Sequence, residues 1–336
     1  MKKVCFFDTK PYDKLYFDRF AKDYGMEMVY CESKLYDKSV VFAEGCDAVV
    51  AFVNDRVNEK VLQRLVEMGI HIVAMRCAGY NNVNLKAAQG KVRIVNVPAY
   101  SPYAVAEFTM GMFLSLNRKL NRAYNRIRDY NFSLIGLLGT DFYGKTMGVV
   151  GTGKIGQVFI DICRGFGMRV LAYDLYPKER EGVEYVSFET LCANSDMISL
   201  HCPLTKESYH MVNEAAIVSM KKGVILVNTS RGALVDSAAL IEGLKEGKIG
   251  AAGLDVYEEE GDYFYEDYSG AVMPDDELAR LISMPNVLLT SHQAFLTKEA
   301  LENIAETTME NLRQYFAGEN LRNEVCIDER KEKTGK

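Results

Sequence analysis

The chain has 336 residues, 48% of them apolar and 26% charged, with 40 basic side chains against 46 acidic ones and a net charge of −6. That length suits two domains of about 100–200 residues each. The composition excludes a disordered chain, and the mild acidity excludes the basic footprint of a nucleic-acid-binding protein. Eight cysteines, at 5, 31, 46, 77, 163, 192, 202 and 326, include no C-x-x-C pair. Neither a metal site nor a redox pair is expected, and scattered thiols fit a reduced cytoplasmic protein. The apolar run after Lys2-Lys3 stops at Asp8, too short for a secretory signal. No stretch reaches the roughly 20 apolar residues that span a bilayer, so no membrane partner is expected.

Short apolar runs rich in β-branched residues alternate with amphipathic segments. The pattern predicts strands at 4–7, 28–30, 48–52, 70–75 and 92–97, with a helix at 59–67. A helical stretch opens at Ser101-Pro102, where serine can cap and proline can occupy the first turn, and its apolar residues Val105, Phe108, Met112 and Leu116 recur at helical spacing. It runs on through an arginine-rich segment, 118–128, read as a solvated helix face. A second series of strands follows at 146–150, 169–173, 197–200, 224–228, 250–254 and 287–290, with helices at 156–166, 237–246 and 298–316. This alternation predicts an α/β protein of two doubly wound parallel sheets, with the last helix folding back onto the first unit.

The strand at 146–150 runs into Gly151-Thr-Gly153-Lys-Ile-Gly156, a helix follows, and the next strand ends at Asp174. Three glycines in this setting, with an acid about 20 residues on, form the dinucleotide fingerprint. Gly151 permits the tight turn, Gly153 lets a pyrophosphate approach the backbone, and Gly156 allows close helix–strand packing. The helix N-terminus offers unpaired N–H groups to the phosphates. Asp174 can accept hydrogen bonds from ribose hydroxyls and would repel a 2′-phosphate, and Leu175-Tyr176-Pro177 after it holds no arginine. NAD is therefore expected over NADP.

Ligands collect at the carboxyl ends of parallel strands. The polar residues there are Arg76, His201, Arg231, Asp255 with the run Glu258-Glu259-Glu260, and His292. Beside a nicotinamide, such groups suggest hydride transfer to a carbonyl. Histidine would supply the proton, a carboxylate would support the imidazolium, and arginine would grip a substrate carboxylate bidentately. On this reading His292 is the acid, Glu260 its partner and Arg231 the clamp. His201, which also ends a strand, remains a rival acid. His71 and His210 are read as structural, and two of the three glutamates as solvated.

The chain resembles the D-specific 2-hydroxyacid dehydrogenases, and within them the fermentative NAD-dependent D-lactate dehydrogenases. The resemblance is carried by R-C-A-G-Y-N-N-V-N at 76–84, V-P-A-Y-S-P at 97–102, the 144–156 glycine segment, L-H-C-P-L-T at 200–205, N-T-S-R-G-A-L-V-D at 228–236, L-D-V-Y at 254–257 and S-H-Q-A-F at 291–295. It implies catalytic roles for Arg231, His292 and Glu260, and makes His201 a cofactor-loop residue. It implies that Gly151, Gly153, Lys154, Ile155, Gly156, Asp174, Cys202, Pro203, Ser208, Thr229, Ser230 and Asp255 bind the cofactor. Arg76, Cys77, Ala78, Gly79 and Tyr80 would receive the substrate carboxylate, with Tyr100 and Phe295 lining the pocket. Asn84 stands where many relatives have aspartate, and Ser291 departs from the commoner proline-His pattern. The family layout implies a flavodoxin-like substrate domain from 1–100 and 297–336, an inserted Rossmann NAD domain at 101–296, and a homodimer or homotetramer. The implied reaction is reversible reduction of pyruvate to D-lactate by NADH. A larger 2-keto acid (phenylpyruvate, 2-oxoisocaproate or 2-oxoglutarate) and a non-catalytic NAD sensor are the alternatives.

Overall fold

The computed structural model describes residues 1–327. The chain divides into two compact units, one formed by residues 1–101 together with those from 296 onward, the other by 102–295.

In the first unit, β1 (Lys2–Phe6), β2 (Met26–Tyr30), β3 (Ala48–Ala51), β4 (Ile72–Met75) and β5 (Arg93–Val95) form a sheet in the order β2-β1-β3-β4-β5. Every ladder is parallel, with Val4 opposite Ala48 and Val50 opposite Ala74. This is the flavodoxin-like order. β3 and β4 read Ala-Val-Val-Ala and Ile-Val-Ala-Met and are buried at every position, because helices cover both faces. The helices are α1 (Pro11–Asp23), α2 (Glu59–Glu67), the short α3 (Leu85–Ala88) and the last helix, α11 (Lys298–Phe316). α2 begins where the Asn58 side chain accepts the Val61 N–H at 2.9 Å, and it turns Val61, Leu62 and Leu65 inward. Thr297 caps α11 in the same way. That helix packs on α1 and β4, and the chain beyond it returns to the sheet, where the Val325 N–H bonds Ile94 O at 2.8 Å.

The second unit holds β6 (Thr146–Val150), β7 (Arg169–Tyr173), β8 (Val183–Tyr185), β9 (Met197–Leu200), β10 (Val224–Asn228), β11 (Ile249–Leu254) and β12 (Val287–Leu289). The order is β12-β11-β10-β9-β6-β7-β8, again all parallel. The order reverses between β6 and β9, the switch point at which doubly wound sheets place their ligands. Its helices are α4 (Pro102–Arg118), α5 (Leu120–Arg128), α6 (Lys154–Gly165), α7 (Phe188–Asn194), α8 (Glu214–Ser219), α9 (Ser237–Lys245) and α10 (Asp276–Ser283).

Some elements depart from the sequence pattern. β8 is an edge strand of three residues and α1 has a weak apolar stripe, so neither was legible from periodicity. The helical stretch from Ser101 breaks at Lys119, whose φ of +53° lies in the left-handed region, and α5 that follows buries no residue. α4 is held instead by its packing on α6, where the rings of Phe113 and Phe159, both fully buried, stack with centroids 5.9 Å apart. Phe113→Ala is expected to destabilise the second unit by about 3–5 kcal/mol through the cavity it leaves. A chemical-denaturation curve should show a lower midpoint at unchanged slope.

Candidate active site

The glycine turn is built as its sequence requires. Gly151 has φ +92°, and a Cβ there would meet Cys202 N at 2.6 Å. A Cβ on Gly156 would meet Gly151 O at 2.0 Å, so α6 can begin only against a glycine. Gly153, by contrast, faces open space. It stands at the N-cap of α6 with no side chain capping the helix, and Lys154 after it is exposed. Unsatisfied N–H groups above an open glycine are what a pyrophosphate needs.

A cavity of about 240 Å³ lies beside this turn, lined by Gly151, Gly153, Asp174, Cys202, Pro203 and Ser208 among others. Asp174 Oδ2 accepts the Thr152 N–H at 2.6 Å and its hydroxyl at 3.0 Å, and Oδ1 accepts the Tyr176 N–H at 2.8 Å. Burial acts to raise the Asp174 pKa, but the bonds from Thr152 and Tyr176 outweigh it and hold the carboxyl below its ordinary value. An ionised carboxylate at this place suits ribose hydroxyls and rejects a phosphate. Ser208 shapes the loop by donating to Pro203 O at 2.8 Å and accepting the Thr205 N–H. Burial pushes the Cys202 thiol up to about 11, so it packs as an apolar group. Ile155 is partly buried behind the turn. Thr229 bonds the Thr109 hydroxyl at 2.8 Å, and Ser230 donates to Cys202 O at 2.7 Å.

Arg231, Glu260 and His292 follow β10, β11 and β12, three adjacent strands, at their carboxyl ends. His292 Nδ1 lies 2.7 Å from Glu260 Oε1, and Glu260 Oε2 accepts the Tyr257 N–H at 2.9 Å. The contact through Nδ1 leaves Nε2 as the nitrogen that can serve a substrate. The Arg231 guanidinium donates to Ser230 O at 2.7 Å and forms no ion pair among the described residues. Its turn is tied by Asn228, fully buried, whose amide donates to Arg231 O at 2.8 Å and accepts the Ser230 N–H. A Cβ on Gly232 would come within 2.1 Å of the Tyr257 carbonyl, so the arginine turn and the glutamate loop touch backbone to backbone.

Asp255, assigned by the resemblance to the cofactor, is fully buried. Its Oδ1 accepts the Thr290 hydroxyl at 2.6 Å and the Gln293 N–H at 2.8 Å, and Oδ2 accepts the Ala294 N–H at 2.9 Å. It is the scaffold of the turn that carries His292. The rival acid His201 is held by Ser199 Oγ at 2.9 Å and packs on Phe159. Burial pushes it down to about 3, so it stays neutral and cannot serve as an imidazolium. Glu258 is not simply solvated, as the sequence suggested. Its Oε1 lies 2.6 Å from His210 Nε2. Phe295 is largely buried.

In the first unit, the segment after β4 turns its carbonyls inward. Cys77 O accepts the Val97 N–H, Ala78 O the Asn96 amide, Gly79 O the Cys77 thiol and Tyr80 O the Val83 N–H. Among the described residues the N–H groups of Ala78, Gly79 and Tyr80 donate to none of these partners, which leaves a row of donors suited to a carboxylate. Arg76 cannot join them as a substrate ligand. Its N–H bonds Ala51 O, and its buried guanidinium bonds Asp8 O at 2.9 Å, pairs with Asp13 at 3.2 Å and stacks on Phe52. It anchors the loop from beneath. Tyr100 is partly buried, and its carbonyl accepts the Asn303 amide at 2.6 Å. Among the described residues no group of metal ligands occurs and no helix is long and apolar enough to cross a membrane.

Residues 110–294 match the profile of the D-isomer specific 2-hydroxyacid dehydrogenase, NAD binding domain. The chain is 52% identical over 327 residues to D-lactate dehydrogenase of Escherichia coli (strain K12), covering 96% of this chain and 99% of that one. The apo-structure of the Escherichia coli enzyme superposes with a TM-score of 0.88 over 96% of this chain and 99% of its own. The pyruvate reductase of Chlamydomonas reinhardtii, 42% identical, gives 0.91 over 96% and 98%. A D-2-hydroxyisocaproate dehydrogenase, 33% identical, gives 0.85 over 96% and 99%. With a dinucleotide pocket that fits NAD, a histidine–glutamate pair and an unpaired arginine on adjacent strand ends, the chain belongs to the D-isomer-specific 2-hydroxyacid dehydrogenases, NAD-dependent oxidoreductases of small 2-hydroxy acids.

Proposed function

We propose that this protein reduces pyruvate to D-lactate, reversibly, and that the contact between His292 and Glu260 carries the proton step. Bound NADH supplies the hydride to C2 of the keto acid. Arg231 grips the substrate carboxylate with its planar fork, and the N–H row at 78–80 is the first unit's own carboxylate-binding feature. The first unit is thus the substrate-binding domain and the second the cofactor domain. His292 gives its Nε2 proton to the ketone oxygen as the alkoxide develops, while Glu260 fixes the ring and opposes the imidazolium charge. Asp255 serves the cofactor side by holding the 290–294 turn in place. Pyruvate is favoured by the similarity to the Escherichia coli and Chlamydomonas reinhardtii enzymes; the hydroxyisocaproate relative supports a branched 2-keto acid as the second reading. The cytoplasm is the compartment where such chemistry and a set of cysteines that form no disulfide among the described residues belong.

A panel of five 2-keto acids, ranked by kcat/KM for NADH oxidation and followed by chiral analysis of the product, tests this reading. Pyruvate should lead and yield the D isomer; a strong preference for 2-oxoisocaproate would replace it. His292→Ala should abolish turnover and leave NADH affinity, measured by fluorescence titration, near that of the parent. Arg231→Lys should lose most of its kcat/KM despite the retained charge, because an ammonium cannot replace a bidentate fork.

The homo-oligomer is also part of this proposal. Between 120 and 143, Leu120, Tyr124, Ile127, Tyr130, Phe132, Leu134, Ile135, Leu138 and Tyr143 are each 54–88% exposed. So much apolar surface in one segment favours burial against a second copy. Ile135→Asp with Leu138→Asp should shift the particle mass toward the monomer in analytical ultracentrifugation.

A further inference from the structure

We infer that His210 and Glu258 form a positioning pair that joins the loop lining the dinucleotide pocket to the loop carrying Glu260, so that cofactor binding and the proton relay are set together. The inference rests on the role proposed above for Glu260. His210 belongs to the 201–211 segment, which supplies Cys202, Pro203, Ser208 and Met211 to the cofactor cavity. Its φ of +49° lies in the left-handed region, a strained state for a residue with a Cβ, which persists only where the surroundings hold it.

Those surroundings are specific. The His210 N–H bonds Ala233 O at 2.9 Å. The Tyr209 ring stacks on the imidazole with centroids 4.0 Å apart and planes 14° apart. Nε2 meets Glu258 Oε1 at 2.6 Å, while Nδ1 stands 3.7 Å from Asp236 Oδ2. Glu258 Oε2 accepts the Ser237 hydroxyl at 3.3 Å. Glu258 precedes Glu260 by two residues, and the peptide between Tyr257 and Glu258 is the one that presses on Gly232, next to Arg231. The His210–Glu258 contact, to which the Tyr209 hydroxyl adds a longer bond to the same Oε1 at 3.5 Å, therefore sits where the cofactor loop, the arginine turn and the glutamate loop meet. None of these groups touches the reacting atoms, so the pair acts through Glu260 and through the cofactor loop, and its worth is geometric.

The test uses His210→Ala, His210→Gln, Glu258→Ala and the double variant His210→Ala/Glu258→Ala in the full chain. NADH dissociation constants come from fluorescence titration, and kcat and KM from keto-acid reduction. His210→Ala and Glu258→Ala should each weaken NADH binding and lower kcat, both by about tenfold, the scale of a lost hydrogen bond to a charged group. KM for the keto acid should stay within about twofold, since Arg231 and the first unit are untouched. The double variant should be no worse than either single one, because both break the same contact. His210→Gln, which keeps a donor, should recover part of the NADH affinity. Losses that multiply in the double variant, or NADH affinity unchanged in both singles, would overturn the inference. The NADH arm needs no turnover, so it stands or falls apart from the substrate assignment.

Discussion

The site depends on one buried carboxylate. Asp255 sits at the end of β11 with no exposure to water, and a charge so placed is tolerable only when its lone pairs are filled. It fills them with the Thr290 hydroxyl and two consecutive N–H groups, at 293 and 294, while its own carbonyl accepts the His292 N–H at 2.7 Å. Four bonds from one residue thus wrap the chain around His292 and hold it at φ +52°. The Tyr265 hydroxyl closes the other side by donating to His292 O at 2.9 Å. The imidazole is therefore fixed by its backbone before Glu260 aligns its ring.

The same economy appears at the glycines. Gly151 lies against the Cys202 backbone, and Gly232 against the Tyr257 carbonyl, at distances that no Cβ could share. These two approaches bring loops that follow different strands into direct backbone contact. Side chains borne on them inherit positions set by covalent geometry and packing, with little slack. Arg231 and Glu260 are placed in this way, and so is the mouth of the cofactor pocket.

Much of this was legible in the residues. Long parallel strands declare themselves because burial on both faces demands continuous apolar runs, as in 146–150 and 224–228, and the glycine turn shows its purpose by what stands on either side. The strand-end polar residues could be found for the same reason, since an arginine or histidine directly after such a run has few bland explanations. What escaped had physical causes. β8 is too short and too exposed to leave a period. Lys119 breaks the helix through a backbone torsion that composition does not encode. The ties from Asn228 and Asp255 join residues that are near only once the sheet has formed. Arg76 ends a strand like Arg231, yet its guanidinium turns inward because the Asp13 carboxylate, the Asp8 carbonyl and two aromatic rings await it there. Glu258 and Glu260 lie two apart in one acidic run, and only the fold reveals that each has its own histidine.

Asp174 carries a consequence for anyone wishing to alter coenzyme preference. Its oxygens are already the acceptors for the Thr152 and Tyr176 main chain, so the carboxylate proposed to discriminate between the two nicotinamide coenzymes is also a brace of its own turn. Exchanging it for a neutral residue would admit a phosphate but also release the brace, and an added arginine would have no prepared seat. A redesign would therefore have to rebuild residues 152 and 176 together with 174, treating the turn as one unit and not as a single selectable position.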